Sequence, residues 1–108
     1  MRTLADIQQE IDHLIKEEWH SSYWSPLSSL ARLTEEVGEL AREINHTYGE
    51  KPKKASEDQG SIAAEMADIL FILASLANSI DIDLDDAFAE VMAKYQQRDA
   101  QRWQAPEG

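Results

Sequence analysis

The chain has 108 residues, of which 21 are acidic and 10 basic, for a formal net charge of −11, and it has no cysteine. That length suits a single domain with a core of its own, and the negative balance opposes the counterion displacement by which nucleic acids are bound, as well as docking on an anionic membrane. Disulfides, thiolate nucleophiles and sulfur-ligated zinc or iron are excluded.

The opening stretch MRTLADIQQEIDHL lacks the basic start and unbroken apolar run of a signal peptide, so a cytoplasmic protein is expected. Helical periodicity dominates and strand signals are nearly absent, which predicts an all-α domain over residues 1–108. The first helix should start at Thr3, whose hydroxyl can cap while Asp6 answers three residues later. Leu4, Ile7, Ile11, Leu14 and Ile15 give it an apolar face. Near His20 the pattern dissolves, and Ser25-Pro26 restarts it, with serine as cap and proline at the first helical position.

The second helix is predicted to run to about Asn45–Tyr48, with Gly49 as its stop. Its apolar residues Leu30, Leu33, Val37, Leu40 and Ile44 form a narrow stripe for packing against another helix. Residues 49–60, GEKPKKASEDQG, read as a polar loop. The third helix, about 61–80, is apolar nearly all round, which predicts the most buried position in the fold. Its longest apolar stretch carries two acids and is short for a bilayer span. Asp83 should cap a fourth helix, with Asp85 and Asp86 in its first turn as dipole partners. Ala87, Phe88, Val91, Met92 and Tyr95 would be its inner face, and residues 100–108 a frayed tail. Four main helices make a small bundle.

Two groups of carboxylates carry the functional signal: Glu35, Glu36 and Glu39 in TEEVGEL, then Glu65 and Asp68 in AAEMADILF. From Ile62 to Ala77 the polar residues are Glu65, Asp68 and Ser75, with no lysine or arginine among them. Ionised carboxylates in such a segment need a positive partner, and a bound cation is the leading candidate. At 100° per residue, Glu36, Glu39 and Glu43 fall within roughly 60° of one face, and Glu65 and Asp68 share another. Antiparallel packing of helices two and three would bring the two groups together. Four oxygen ligands without histidine or cysteine suit Mg²⁺, with Mn²⁺ as a substitute. An anionic phosphate substrate would also need such ions to bridge it to this acidic protein. The competing account makes EEVGE a solvated helix face and places Glu65 and Asp68 at an exposed first turn.

The spacing EEVGEL, then EMADILF, together with ANSIDIDLDDAFAEVMAKYQQRD near the C-terminus, resembles the EExxE…ExxD signature of MazG-like nucleotide pyrophosphohydrolases of the short, single-domain type. The resemblance spans nearly the whole chain. It implies an all-α fold completed by dimer or tetramer formation, and Mg²⁺-dependent hydrolysis of nucleoside triphosphates to monophosphate and pyrophosphate. It further implies that Glu36, Glu39, Glu65 and Asp68 hold the metal ions and that Glu35 activates or orients the attacking water. Lys94 and Arg98 match the family's basic pair for the outer phosphates, from the same or a neighbouring subunit. Both could equally be surface charges paired with Glu90 or Asp99.

Weaker signals remain. Lys51, Lys53 and Lys54 could close over a triphosphate or form a solvated loop. Tyr23 and Trp24, with Trp19 nearby, could stack on a nucleobase or anchor the core. His13, His20 and His46 form no ligand spacing with the acids. Asp81-x-Asp83-x-Asp85 fails as a calcium loop, since the glycine and final glutamate such loops require are replaced by Asp86 and Met92. A di-iron carboxylate bundle is disfavoured because its Glu-x-x-His pairs are absent. A non-catalytic metal-binding helical assembly or interaction module is the alternative function.

Overall fold

The computed structural model describes residues 1–49 and 61–98. The tail, the loop beyond Gly49, and with it Lys51, Lys53 and Lys54, lie outside the described residues. Helix α1 (Leu4–His13) runs into a π-helical turn (Leu14–Glu18) and is followed by α2 (Pro26–Tyr48), α3 (Ile62–Ser79) and α4 (Leu84–Arg98). No strand occurs among the described residues.

The helix ends follow the local capping chemistry of the sequence. Thr3 Oγ1 accepts from the Asp6 amide at 3.0 Å, and Asp6 Oδ2 accepts from the Thr3 amide at 2.9 Å. Ser25 caps α2 through the Ser28 amide, with Pro26 at the first position, and Ser61 caps α3 through the Ala64 amide. Gly49 ends α2 by donating to the Asn45 carbonyl at 2.9 Å. A Cβ there would fall 2.6 Å from that same carbonyl, so the glycine is required by close approach. At the end of α3, Asp81 adopts the left-handed conformation, φ 57°. Ile82 N then reaches the Ala77 carbonyl at 2.9 Å and Asp81 N the Asn78 carbonyl at 3.4 Å, a Schellman ending.

Helix α3 packs against both α2 and α1, and α4 packs chiefly against α1. Ile11, Ile15 and Ala74 form the buried centre, with Ile7, Tyr23, Phe71 and Leu84 around it. A polar network bolts the helices together beside this core. Gln8 Nε2 donates to Asn78 Oδ1 at 2.9 Å and to the Ile82 carbonyl at 2.8 Å, while its Oε1 accepts from the Leu84 amide at 2.9 Å. Asn78 Nδ2 donates to the Gln8 carbonyl at 2.9 Å and to the Tyr23 hydroxyl at 3.0 Å, and that hydroxyl donates to Asp12.

Three expectations are corrected by this packing. The third helix is central, yet Met66, Leu70 and Leu73 remain exposed and only Ala74 and Ala77 are buried: the exposed three share one face at i, i+4, i+7 spacing, a face that neither α1 nor α2 of the same protomer covers. The inner face predicted for α4 is also open, with Phe88, Val91, Met92 and Tyr95 exposed, because α4 leans on α1 by its first turn. In α2 the predicted apolar stripe is rotated part-way out, leaving Leu30, Val37 and Ile44 exposed while Leu33 and Leu40 stay on the packed side. The packed face is Ser29, Leu33, Glu36, Leu40 and Glu43. Asp85 keeps its expected place in the first turn of α4 and in addition caps α1, accepting from Leu4 N at 3.1 Å and Ala5 N at 3.0 Å.

Candidate metal centre and adjoining cavity

The rotation of α2 carries Glu36 from the margin of its helix into the α2–α3 interface, where it is 5% exposed. Opposite it, Glu65 and Asp68 project from the first two turns of α3. One carboxylate oxygen from each of Glu36, Glu65 and Asp68 lies within 4.8 Å of the others. Glu36 is buried, Glu65 half-buried and Asp68 exposed, so the cluster has a closed floor and an open mouth. Glu39 is exposed on α2, outside this trio but near enough for its charge to act on Glu65.

The Glu65 carboxyl is pushed above its ordinary range, first by a hydrogen bond with Glu36, then by burial and by the negative charges of Glu36, Asp68 and Glu39. Its Oε2 is buried and meets no donor. Two ionised carboxylates are both acceptors, so only a shared proton or a cation can satisfy the oxygens between them. The cluster contains no histidine or cysteine, and an all-oxygen donor set with an open side fits a hard divalent cation better than iron or zinc.

Glu35, the candidate for handling the attacking water, lies on the solvent side of α2. Its carboxylate meets Arg32 Nη1 at 3.2 Å, while Arg32 Nη2 meets Glu36 Oε1 at 2.9 Å. Arg32 carried no signal in the sequence reading, although its i, i+3 and i, i+4 spacing to Glu35 and Glu36 could have revealed the bridge.

A cavity of about 350 Å³ opens beside the carboxylates, with Glu36 and Asp68 in its wall. Trp19, Tyr23, Trp24 and Phe71 supply aromatic surface, and Ser21, Ser22, Ser29 and Ser75 supply hydroxyls. The π-helical turn builds this wall: Trp19 N bonds the Leu14 carbonyl at 2.8 Å, and the left-handed His20, φ 51°, turns the chain so that Ser21–Trp24 line the cavity. The Trp19 and Phe71 rings stand 6.5 Å apart at 50°. Trp24 keeps much of its indole exposed. Tyr23 is more committed: its hydroxyl is spent on Asp12 and Asn78, and Lys16 Nζ lies 5.7 Å from its ring centre.

Lys94 and Arg98 lie on the exposed C-terminal half of α4, and neither lines this cavity. Lys54 lies outside the described residues.

The match to known proteins is as extensive as the geometry is specific. The MazG nucleotide pyrophosphohydrolase domain matches residues 24–103, which takes in every carboxylate of the site. The protein YpjD of Bacillus subtilis strain 168 is 55% identical over 102 residues, spanning 94% of this chain and 91% of that one. The crystal structure of the Bacillus subtilis YpjD superposes with a TM-score of 0.79 at 51% identity, covering 91% of this chain and 97% of the other. A Bacillus-conserved MazG protein, described as a nucleotide pyrophosphohydrolase, superposes with a TM-score of 0.75 at 45% identity, covering 91% and 94%. With these carboxylates inside the matched region and the helices in the same arrangement, the chain belongs to the MazG nucleotide pyrophosphohydrolase family.

Proposed function

We propose that this hydrolase cleaves nucleoside triphosphates at the α-phosphorus in a Mg²⁺-dependent reaction, releasing monophosphate and pyrophosphate and so clearing unwanted nucleotides. The observation that carries the reading is the juxtaposition of a carboxylate trio within 4.8 Å and an aromatic cavity sharing two of its acids. One part suits a cation-bridged polyphosphate and the other an uncharged ring.

Glu36, Glu65 and Asp68, joined by Glu39, would hold the cation. When bound, Mg²⁺ supplies charge neutralisation at the phosphates and a lowered pKa for its water. Glu35 is the residue for activating or orienting the attacking water, whose oxygen forms the new bond to the α-phosphorus as the bond to the leaving pyrophosphate breaks. Trp24, with Trp19, offers exposed ring surface for the base, and Tyr23 serves better as fixed wall than as stacking partner. Lys94, Arg98 and Lys54 are assigned to the outer phosphates. Since α4 leans away from α2, a second copy is the better source of the first two. The bare apolar surfaces of α2, α3 and α4 support a homodimer or homotetramer.

The deciding experiment incubates the protein with a panel of ribo- and deoxynucleoside triphosphates and Mg²⁺ and separates the products. Monophosphate plus pyrophosphate, lost in Glu65→Gln, is expected. Diphosphate plus orthophosphate would mean a different bond is cut. No turnover with any nucleotide would favour a metal-binding helical scaffold.

A further inference from the structure

We propose that Arg32 is a positioning residue for the acidic centre: its guanidinium spans Glu35 and Glu36 and holds Glu36 in the pose that receives a divalent cation. The inference rests on the metal-dependent reading above and concerns a residue outside the acidic set. Arg32 Nη2 lies 2.9 Å from Glu36 Oε1 and Nη1 lies 3.2 Å from Glu35 Oε2. The side chain of Glu36 is 7% exposed, whereas those of Arg32 and Glu35 are 47% and 67% exposed.

The asymmetry matters. The arm to exposed Glu35 contributes little stability alone, but it fixes the rotation of the guanidinium plane. The arm to Glu36 meets a carboxylate whose other neighbours, Glu65 and Asp68, are also acidic. Without a cation on its α2 side, Glu36 would be repelled from the cluster it must complete. Only a planar fork with several fixed donors reaches two carboxylates at once; an ammonium is a single point charge. Arg32 also shares the cavity wall with Trp24 and Glu36, so its pose joins the ring-binding and ion-binding halves of the site.

A positive side chain near a cation site has two opposed effects. It repels the ion, and it orders a ligand. Arg32 is half-exposed and therefore screened, so ligand order should dominate.

The test uses the full-length protein, with Mn²⁺ alone as the probe, comparing wild type with R32Q and R32K. The Mn²⁺ isotherm of R32Q is expected to move to about 10–100-fold higher concentration, the usual consequence of losing a partner that orients a metal ligand. R32K should stay shifted, because it cannot span both acids. The metal-free melting temperature of R32Q should fall, because buried Glu36 loses its positive partner, so the isotherms are recorded well below it, where both variants remain folded. In turnover, saturating Mg²⁺ should restore much of the lost kcat in R32Q with little change in the KM for nucleotide, a split that a merely structural role would not produce. An unchanged or tighter isotherm in R32Q overturns the proposal, as does full rescue by R32K. Should R32Q fail to fold, the R32K isotherm decides alone. Wild-type protein that binds no Mn²⁺ would overturn the metal-dependent reading itself, and the Arg32 role with it. A wild-type isotherm unchanged in both variants would overturn the Arg32 role alone.

Discussion

The hydroxyl of Tyr23 serves two partners, and both leave a titration signature. Burial and the bond to Asp12 raise its pKa to about 12 from an ordinary 10.0. The same bond, aided by Lys16, lowers Asp12 below its ordinary 3.8. A tyrosine raised in the folded state adds stability that is complete below about pH 10 and lost as pH climbs toward 12. Asp12 works at the other end, its contribution present above the ordinary carboxylate value and lost as pH falls through its lowered one. Tyr23→Phe should therefore destabilise by about 1–2 kcal/mol at neutral pH and remove this group's share of the alkaline loss between pH 10 and 12. Urea unfolding across a pH series measures both. Glu65 has the reverse sign for an acid. With its carboxyl raised by Glu36, the folded state holds the proton more tightly, so metal-free stability rises as pH falls through the upper carboxylate range. Cation binding weakens there, because proton and ion compete. Glu65→Gln, whose amide can donate to Glu36, should melt higher than wild type without metal at neutral pH and gain nothing from Mg²⁺. A thermal-shift pair with and without the ion checks it.

At the scale of the helix, the informative contact is the one made by Asp85 to a different element. The first amides of α1 have no partners within their helix, and Thr3 reaches only one of them. Asp85 accepts from the two that precede it, Leu4 and Ala5, at 3.1 and 3.0 Å, across about 80 residues of chain, and places negative charge at the positive end of the dipole. Asp85→Ala should cost about 1–2 kcal/mol and fray the start of α1 while freeing α4. Hydrogen exchange at the Leu4 and Ala5 amides should accelerate well beyond that at Ile11 and Ile15. Unchanged protection at Leu4 and Ala5 would mean that Thr3 and Asp6 suffice.

Over the whole molecule, the protomer is extended. Its radius of gyration is 17.8 Å, against about 13 Å for a compact chain of this length, and large apolar side chains on α2, α3 and α4 face outward. Helix α3 is long and apolar enough to cross a membrane by length and composition alone. Its acids, however, meet Glu36 of α2, which fits a helix packed in protein. Light scattering is expected to give a multiple of the 12.2 kDa chain mass. Leu73→Glu, which puts a charge on the exposed side of α3, should lower that mass toward one chain and reduce turnover with it. A monomeric wild type with full activity would place every needed residue, including any phosphate-binding cation, within one copy.

Caps, stops and the unusual acids were legible because each is a local statement. Thr3 with Asp6, Ser25 with Pro26, and Gly49 act over a few residues, and Glu65 and Asp68 stand out against a run with no basic partner. The resemblance in EEVGEL and EMADILF extended that reading to a family. What the tertiary structure decided is rotation and reach. Leu30, Val37 and Ile44 have the period of a packed face, yet α2 packs along Ser29, Leu33, Glu36, Leu40 and Glu43. Periodicity records that a helix has an apolar side but not which neighbour it meets, and here a cluster of acids shares the interface. The reach of Asp85 to α1 and the fastening of Gln8 to Asn78 and Leu84 join residues some 70 to 80 positions apart, a separation no local pattern encodes. Nor can an all-round apolar helix announce whether its own chain or another copy covers it, since both bury the same side chains by the same hydrophobic gain.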